Sequence, residues 1–374
     1  MIVVRHFLKW INTARVSERA AAASALAQAY VGKELPFEDR CAAEAALTLL
    51  LEDPSAKVRM AIAEAVSMSR HAPPQILAAL ASDQPEIASL VLARSPLFGD
   101  DDLIDRVASS VGAVQRIIAG RPYVSMALSA AIAELGEAEA CVALLANSCA
   151  DIASLSFRRI AERFGHLAAV REALVAHDRL PSDCRHMLLV KVGEALRQSP
   201  LVAASIGRAR AERITREACV KASMTLIEGI RDGEHAALVE HLRLGGDLTS
   251  AFIVRVVAHG RVDFFGSILV ALARQNRPRV THLLAGGRDV ALSALFRAAG
   301  LPVTTDGAIL CALKIWREVA SGKRLASPQE VSWQMLQELG DRPADAKLAA
   351  LLRSIHLEAL RDNAREHALA IAAA

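Results

Sequence analysis

Two acid–histidine pairs, Glu234-His235 and Glu240-His241, come closest in this chain to a metal-ligand set. Helical zinc sites hold two imidazoles on one face through spacings such as H-E-x-x-H. His235 and His241 are six residues apart, about 600° of helical rotation, so the two rings leave on different sides. The spacing therefore predicts solvated polar positions. Gly99-Asp100-Asp101-Asp102, followed by Asp105, has the residue types of a hard-cation site but lacks the alternating register and distant Glu of a calcium loop. Acidic residues are favoured where a helix begins, by capping and by the dipole, and a helix start is the expectation here. Gly245-Gly246 and Gly286-Gly287 follow helical segments rather than strands, so they read as turns and not as phosphate cradles. Trp316 and Trp333 fall at apolar helical spacing and are expected in the core. No catalytic residue, metal or cofactor is expected.

Arginines are the remaining candidates. Arg208, Arg210, Arg213 and Arg216, with Lys221, form the densest basic run. Glu212 and Glu217 lie four residues before Arg216 and Lys221, which predicts ion pairs along an ordinary exposed helix. Arg274, Arg277 and Arg279, with Arg288, fall on or near loops, where binding residues concentrate. They are the leading candidates for a partner-binding patch facing an acidic surface. Charge is unevenly but mildly distributed: residues 1–199 carry 21 basic and 23 acidic side chains, residues 200–374 carry 23 and 18, and the whole is +3. Aromatics make up only 4% of the chain, too few for a stacking platform on single-stranded nucleic acid.

The elements that must carry these residues are helical. Of the 374 residues 53% are hydrophobic, dominated by Ala and Leu, so an all-α fold with a large core is expected. The spacing predicts helices from Arg5 to about Tyr30 and over about 38–51. Asp53-Pro54 is expected to open the next, with Val58, Ile62 and Ala65 on one face. Val58, Ile87, Val124 and Ile152, separated by 29, 37 and 28 residues, are read as equivalent anchors of stacked hairpins, with a further unit near Asp183. A long charged helix over 203–230 is expected to lead into a weaker repeat, marked by the Gly-Gly turns 41 residues apart and by Gly260 and Gly300 as helix stops. Thr249 is expected to cap a helix reaching His259, with Phe252, Val256 and His259 on one face. Pro328 and Pro343 begin two last helices. The domains read as 1–200, a helical repeat; 201–322, a helical domain with the weaker repeat; and 323–374, terminal helices with a mobile tail from Arg361. The six cysteines have no paired spacing and read as reduced, buried thiols. Met1–Trp10 is a poor signal peptide, and no apolar run is long enough to span a bilayer. A cytoplasmic, non-membrane protein is expected.

Asp53-Pro-Ser-Ala-Lys-Val58-Arg59 resembles the turn and second-helix start of a HEAT repeat. The resemblance implies an Asp–Arg ladder, but Ala88, Ser125 and Ala153 stand at the later positions, so the ladder is expected to be largely absent. More of the chain resembles an alphaproteobacterial family known as domain of unknown function 2336. The resembling segments are Phe7–Trp10, Asp53–Arg59, Ser95–Ile104, Gly246–Thr249 with Arg255, Asp263–Phe265 and Arg297–Pro302. This resemblance implies a helical-repeat fold, an α-solenoid with a C-terminal helical domain, in a bacterial cytoplasm. It brings no catalytic residue. The expected function is a non-enzymatic scaffold or adaptor that binds a protein partner. The alternative is a nucleic-acid-binding HEAT-like protein resembling alkylpurine DNA glycosylases, which salt-dependent binding to duplex DNA would reveal.

Overall fold

A computed structural model describes residues 10–11, 13–32, 35–339 and 345–373. The Phe7–Lys9 part of the first resembling segment, the helix start at Arg5 and Pro343 lie outside the described residues. Among the described residues the fold is all-α, with 22 α-helices, two single 3₁₀ turns and one isolated parallel bridge, Val124–Ala150. No described helix is long and apolar enough to cross a membrane. The chain divides into two compact units, residues 1–180 and 181–374.

In the first unit alternate helices form two layers: Val16–Val31 and its successors pack each on the next but one through to Ala168–Ala176, as do Asp100–Ser109, Met126–Leu135 and Ser154–Phe164. One layer holds Val16–Val31, Ala56–Val66, Pro85–Arg94, Gly112–Ala119, Ala138–Ala146 and Ala168–Ala176. The other holds Phe37–Leu50, Pro74–Leu80, Asp100–Ser109, Met126–Leu135 and Ser154–Phe164. Short amphipathic helices cannot bury an apolar face alone, so stacking supplies the core. Val58, Ile87, Val124 and Ile152 are all buried, but they are not equivalent. Val58 and Ile87 are the third residues of helices in the first layer, whereas Val124 and Ile152 precede the caps Ser125 and Ala153 of helices in the second. The residues that match Val58 and Ile87 are Val114, Ala140 and Val170, so the repeat is shorter and more even than the sequence suggested. The Pro54 reading also shifts: Ser55 is the cap, and the Asp53 carboxylate instead accepts the Ser55 N–H at 2.8 Å.

With this register a turn fastening recurs in four of the six first-layer helices. The fourth residues of the first-layer helices are Arg19, Arg59, Ala88, Gln115, Cys141 and Arg171. Arg19 donates to Ala14 O (2.9 Å), Arg59 to Asp53 O (2.6 Å), Gln115 to Ser110 O (3.1 Å) and Arg171 to Gly165 O (3.4 Å). These bonds satisfy carbonyls of the preceding turn that helix geometry leaves without partners. A two-rung ladder exists after all: Arg19 pairs with Asp53 at 2.7 Å and Arg59 with Asp83 at 2.6 Å. It ends at Ala88. Further on, Asn147 ties the turn after Gly112–Ala119 by donating to Ala119 O (2.9 Å) and Arg121 O (2.8 Å), and buried Arg121 reaches Leu92 O and Ser95 O.

The second unit is less regular. The expected long charged helix breaks at Gly207 (φ 79°) into Pro200–Ile206 and Arg208–Gly229. Two triplets follow, His235–Gly245, Ser250–Ala258 and Val262–Ala273, then Arg277–Gly286, Asp289–Ala298 and Asp306–Ala320. Thr249 caps Ser250–Ala258 by accepting the Phe252 N–H at 3.2 Å. That helix is buried nearly all round, through Phe252, Ile253, Val254, Val256, Val257 and Ala258; the single stripe expected from spacing is too narrow a reading. Phe264 and Phe265 join the same core. Pro328–Leu339 and Ala346–Ala373 complete the chain, with Lys221 paired to Asp362 at 2.6 Å and Asn363 bonded to Gln329 at 2.7 Å. None of the six cysteines is in a disulfide; Cys141 and Cys184 are buried, but Cys41 and Cys149 are exposed, against the expectation that all are buried.

Candidate functional site

The acidic and histidine motifs resolve into structural roles. Asp102 accepts the Gly99 N–H at 3.1 Å at the start of Asp100–Ser109, as a cap does. His235 is buried rather than solvated, its Nδ1 lying 3.4 Å from Ser267 Oγ and its ring edge-on to Phe264. Burial is the main cause that lowers its pKa, so the ring is neutral at pH 7. His241 packs edge-on against His186 at 5.3 Å between centroids. Among the described residues no three His, Cys, Asp or Glu side chains are grouped so as to hold a metal ion.

The arginines do not gather on one face. Arg208, Arg210, Arg213 and Arg216 are exposed along Arg208–Gly229. The pairs expected from Glu212 and Glu217 do not form: Lys221 turns to Asp362, and among the described residues Arg216 has no ion pair. Arg216 and Arg277 open onto different cavities. Arg288 caps Asp289–Ala298, beyond the far end of Arg277–Gly286 from Arg277. Arg274, Arg277 and Arg279, in contrast, crowd one helix start. The arginines expected on or near a loop, at Gln275–Pro278, lie largely on a helix: Asn276 is the cap, accepting the Arg279 N–H at 3.1 Å, and Arg277 and Arg279 stand in the first turn. All three are exposed and none has an ion pair among the described residues.

This placement is unfavourable for the fold. Cations at a helix N-terminus oppose the dipole, by about 0.3–1 kcal/mol each. Arg274 adopts φ 52°, a left-handed conformation that no other described non-glycine residue takes and that costs a side-chain-bearing residue roughly 1–2 kcal/mol.

Beside these arginines opens a cavity of about 710 Å³, walled by Trp316, Leu313, Leu284 and Val262, with Asp263 and Arg277 among its polar lining. Trp316 is half-buried rather than core; its Nε1 donates to Val257 O at 2.8 Å. Gly260 (φ 76°) lies against the indole, and a Cβ there would meet the ring at 3.0 Å. Arg317 closes one wall by donating to Leu284 O (2.6 Å) and Leu283 O (2.9 Å) at the carbonyl end of Arg277–Gly286. The arginines are conspicuous in the sequence by type and crowding, whereas the cavity is not. The available signal was Gly260 together with a tryptophan 56 residues later, and nothing in spacing joins those two. Trp333 is exposed at 45% and also not core.

Residues 87–349 match the model of a family described as uncharacterised protein conserved in bacteria (DUF2336). No curated protein and no solved structure matches the chain.

Proposed function

We propose that this chain, which belongs to the bacterial family matched over residues 87–349, is a non-catalytic adaptor whose second unit docks an acidic segment of a protein partner. Arg274, Arg277 and Arg279 receive its carboxylates, and an apolar side chain of the same segment enters the cavity beside Trp316. The observation that carries this reading is the crowding of three exposed, unpaired guanidiniums around one helix start, two against the dipole and one in a left-handed conformation. Groups that weaken the fold locally are retained where they serve a site. An adjoining apolar hollow supplies the burial that rim charges lack, since exposed ion pairs contribute little affinity while a buried anchor contributes most of it.

The test reverses all three arginines to Glu. The melting temperature should hold or rise by about a degree, because acidic side chains suit a helix start. Cross-linking in the native host should recover a partner with the wild type and lose it with the variant. A peptide from that partner's acidic segment should then bind the wild type and lose affinity when its carboxylates become amides. Recovery of the same partner by the variant overturns the reading. Duplex DNA binding with a steep salt dependence, lost in the same variant, would assign the arginines to phosphates instead.

A further inference from the structure

A second cavity, of about 400 Å³, lies wholly within the second unit. Its walls come from Ser182–Gln198, Arg208–Gly229, Ser250–Ala258 with the turn before it, and Leu351 of the last helix. One wall holds His186, which is only 3% exposed. Ser223 Oγ donates to Cys219 O at 2.8 Å, so the contact between His186 Nε2 and Ser223 Oγ at 3.1 Å has the imidazole as donor. That fixes the tautomer and leaves His186 Nδ1 as a lone pair, buried and without a partner. Burial pushes the pKa of this histidine down to about 4, so the ring stays neutral. A buried acceptor left unpaired is costly, and this one has no surface open to the cavity.

The charged groups of the cavity are asymmetric in the same sense. Arg255 is neutralised by Glu358. Arg197, half-buried, and Arg216 have no ion pair among the described residues, and Asp247, close enough to His241 to feel its charge, adds a carboxyl. Val190, Val220 and Phe252 supply apolar wall between them. The lining therefore offers two guanidiniums for an anion, the Asp247 carboxyl for a cation, and an apolar surface in a volume suited to a small molecule.

We propose that this cavity binds a small amino-acid-like zwitterion carrying an apolar side chain. Its carboxylate meets Arg197 and Arg216, its ammonium meets Asp247, and its side chain lies on Val190, Val220 and Phe252. None of these residues belongs to the Arg274–Arg279 face, so the two readings stand or fall separately.

The experiment is calorimetric titration of the full chain with L-leucine and L-phenylalanine, then with 3-phenylpropionate, which lacks the ammonium, phenethylamine, which lacks the carboxylate, and inorganic phosphate. Saturable binding of at least one amino acid is expected, at least tenfold weaker for either single-charge analogue. Arg197→Met should remove most of the preference for phenylalanine over phenethylamine, and Asp247→Asn most of its preference over phenylpropionate, with melting temperatures near wild type. Absence of saturable amino-acid binding overturns the proposal, as does equal binding of phosphate or of either single-charge analogue. Where a variant fails to fold, the analogue series on the wild type decides the matter by itself.

Discussion

The two units solve the same problem, how to hold short helices together, in different ways. The first fastens its turns from their edges: the fourth residue of a helix reaches back to the preceding turn, and Arg19–Asp53 and Arg59–Asp83 add charged rungs. The second gathers its apolar side chains into one cluster, from Met224 to Ile355, with hollows beside it. Recurrent fastening fits a stack whose members are alike; cavities open in both units, among them one of about 640 Å³ lined by Asp151 and Arg179 in the first, but the two proposed to bind ligands lie in the second. The contrast extends to titratable groups. The first unit's carboxylates at Asp53 and Asp83 are held below the ordinary value, chiefly by hydrogen bonds from arginine. The second unit's His186, His235 and His259 are lowered chiefly by burial.

The largest effect expected is in the first unit's core. Ile152→Asp places an unpaired carboxylate at a position 5% exposed and should cost about 4 kcal/mol or more. A melting temperature within a degree of wild type would show that the extended residues before second-layer helices do not carry the packing described above.

Acid should separate the two units. An unfolded histidine takes a proton near 6.5, whereas folded His186 does so near 4. Between those values the unfolded chain binds more protons, so stability is full above 6.5 and is lost as pH falls toward 4. His186 alone accounts for about 3 kcal/mol at most, at 1.36 kcal/mol per pH unit. Asp53 and Asp83 act in the same direction but lower: their contribution is present above the ordinary carboxylate range and is lost only as pH falls through their depressed values. Hydrogen exchange followed peptide by peptide from pH 7 to 4 should show the second unit loosening first, with His177 the corresponding small liability of the first unit. His186→Gln should flatten that slope. Simultaneous loosening of both units would erase the distinction.

Arg59→Ala removes the bidentate pair to Asp83 and the bond to Asp53 O and should cost about 1–3 kcal/mol, measured by urea unfolding. Arg274→Gly is the smallest effect. It relieves a left-handed side-chain-bearing residue, offset by greater freedom of the unfolded chain, and should stabilise by about 0.5 kcal/mol. It should also weaken partner binding, which separates a charge kept for binding from one kept for the fold.

The all-α class was readable because it rests on local residues: Thr249 and Asp102 sit three positions from the N–H groups they serve or the caps they complete, and Gly260 and Gly300 mark left-handed stops (φ 76° and 78°). Register was less readable. Ile87-Ala-Ser-Leu90 and Ile152-Ala-Ser-Leu155 match as strings, yet the first lies inside a helix and the second straddles a cap. Apolar spacing alone does not say which layer a helix joins. The ladder was missed because its other rung lies backward, at Arg19, 34 residues from Asp53. For the sites, exposed arginines announce themselves by type and crowding, whereas Ser223 lies 37 residues from His186 and Trp316 lies 59 from Val257. Only tertiary packing brings such pairs together.

The distribution of thiols has a practical consequence. Cys141 lies in the first unit and Cys184 in the second, each 0% exposed, while Cys41 and Cys149 are accessible. Burial also pushes the Cys141 thiol up to about 11, so little thiolate exists at neutral pH even before access is considered. An alkylating reagent will therefore mark Cys41 and Cys149 at once and the sealed pair only when their surroundings open. The chain thus carries a built-in clock in each half, and the ratio of their labelling rates measures how often one half breathes while the other stays shut.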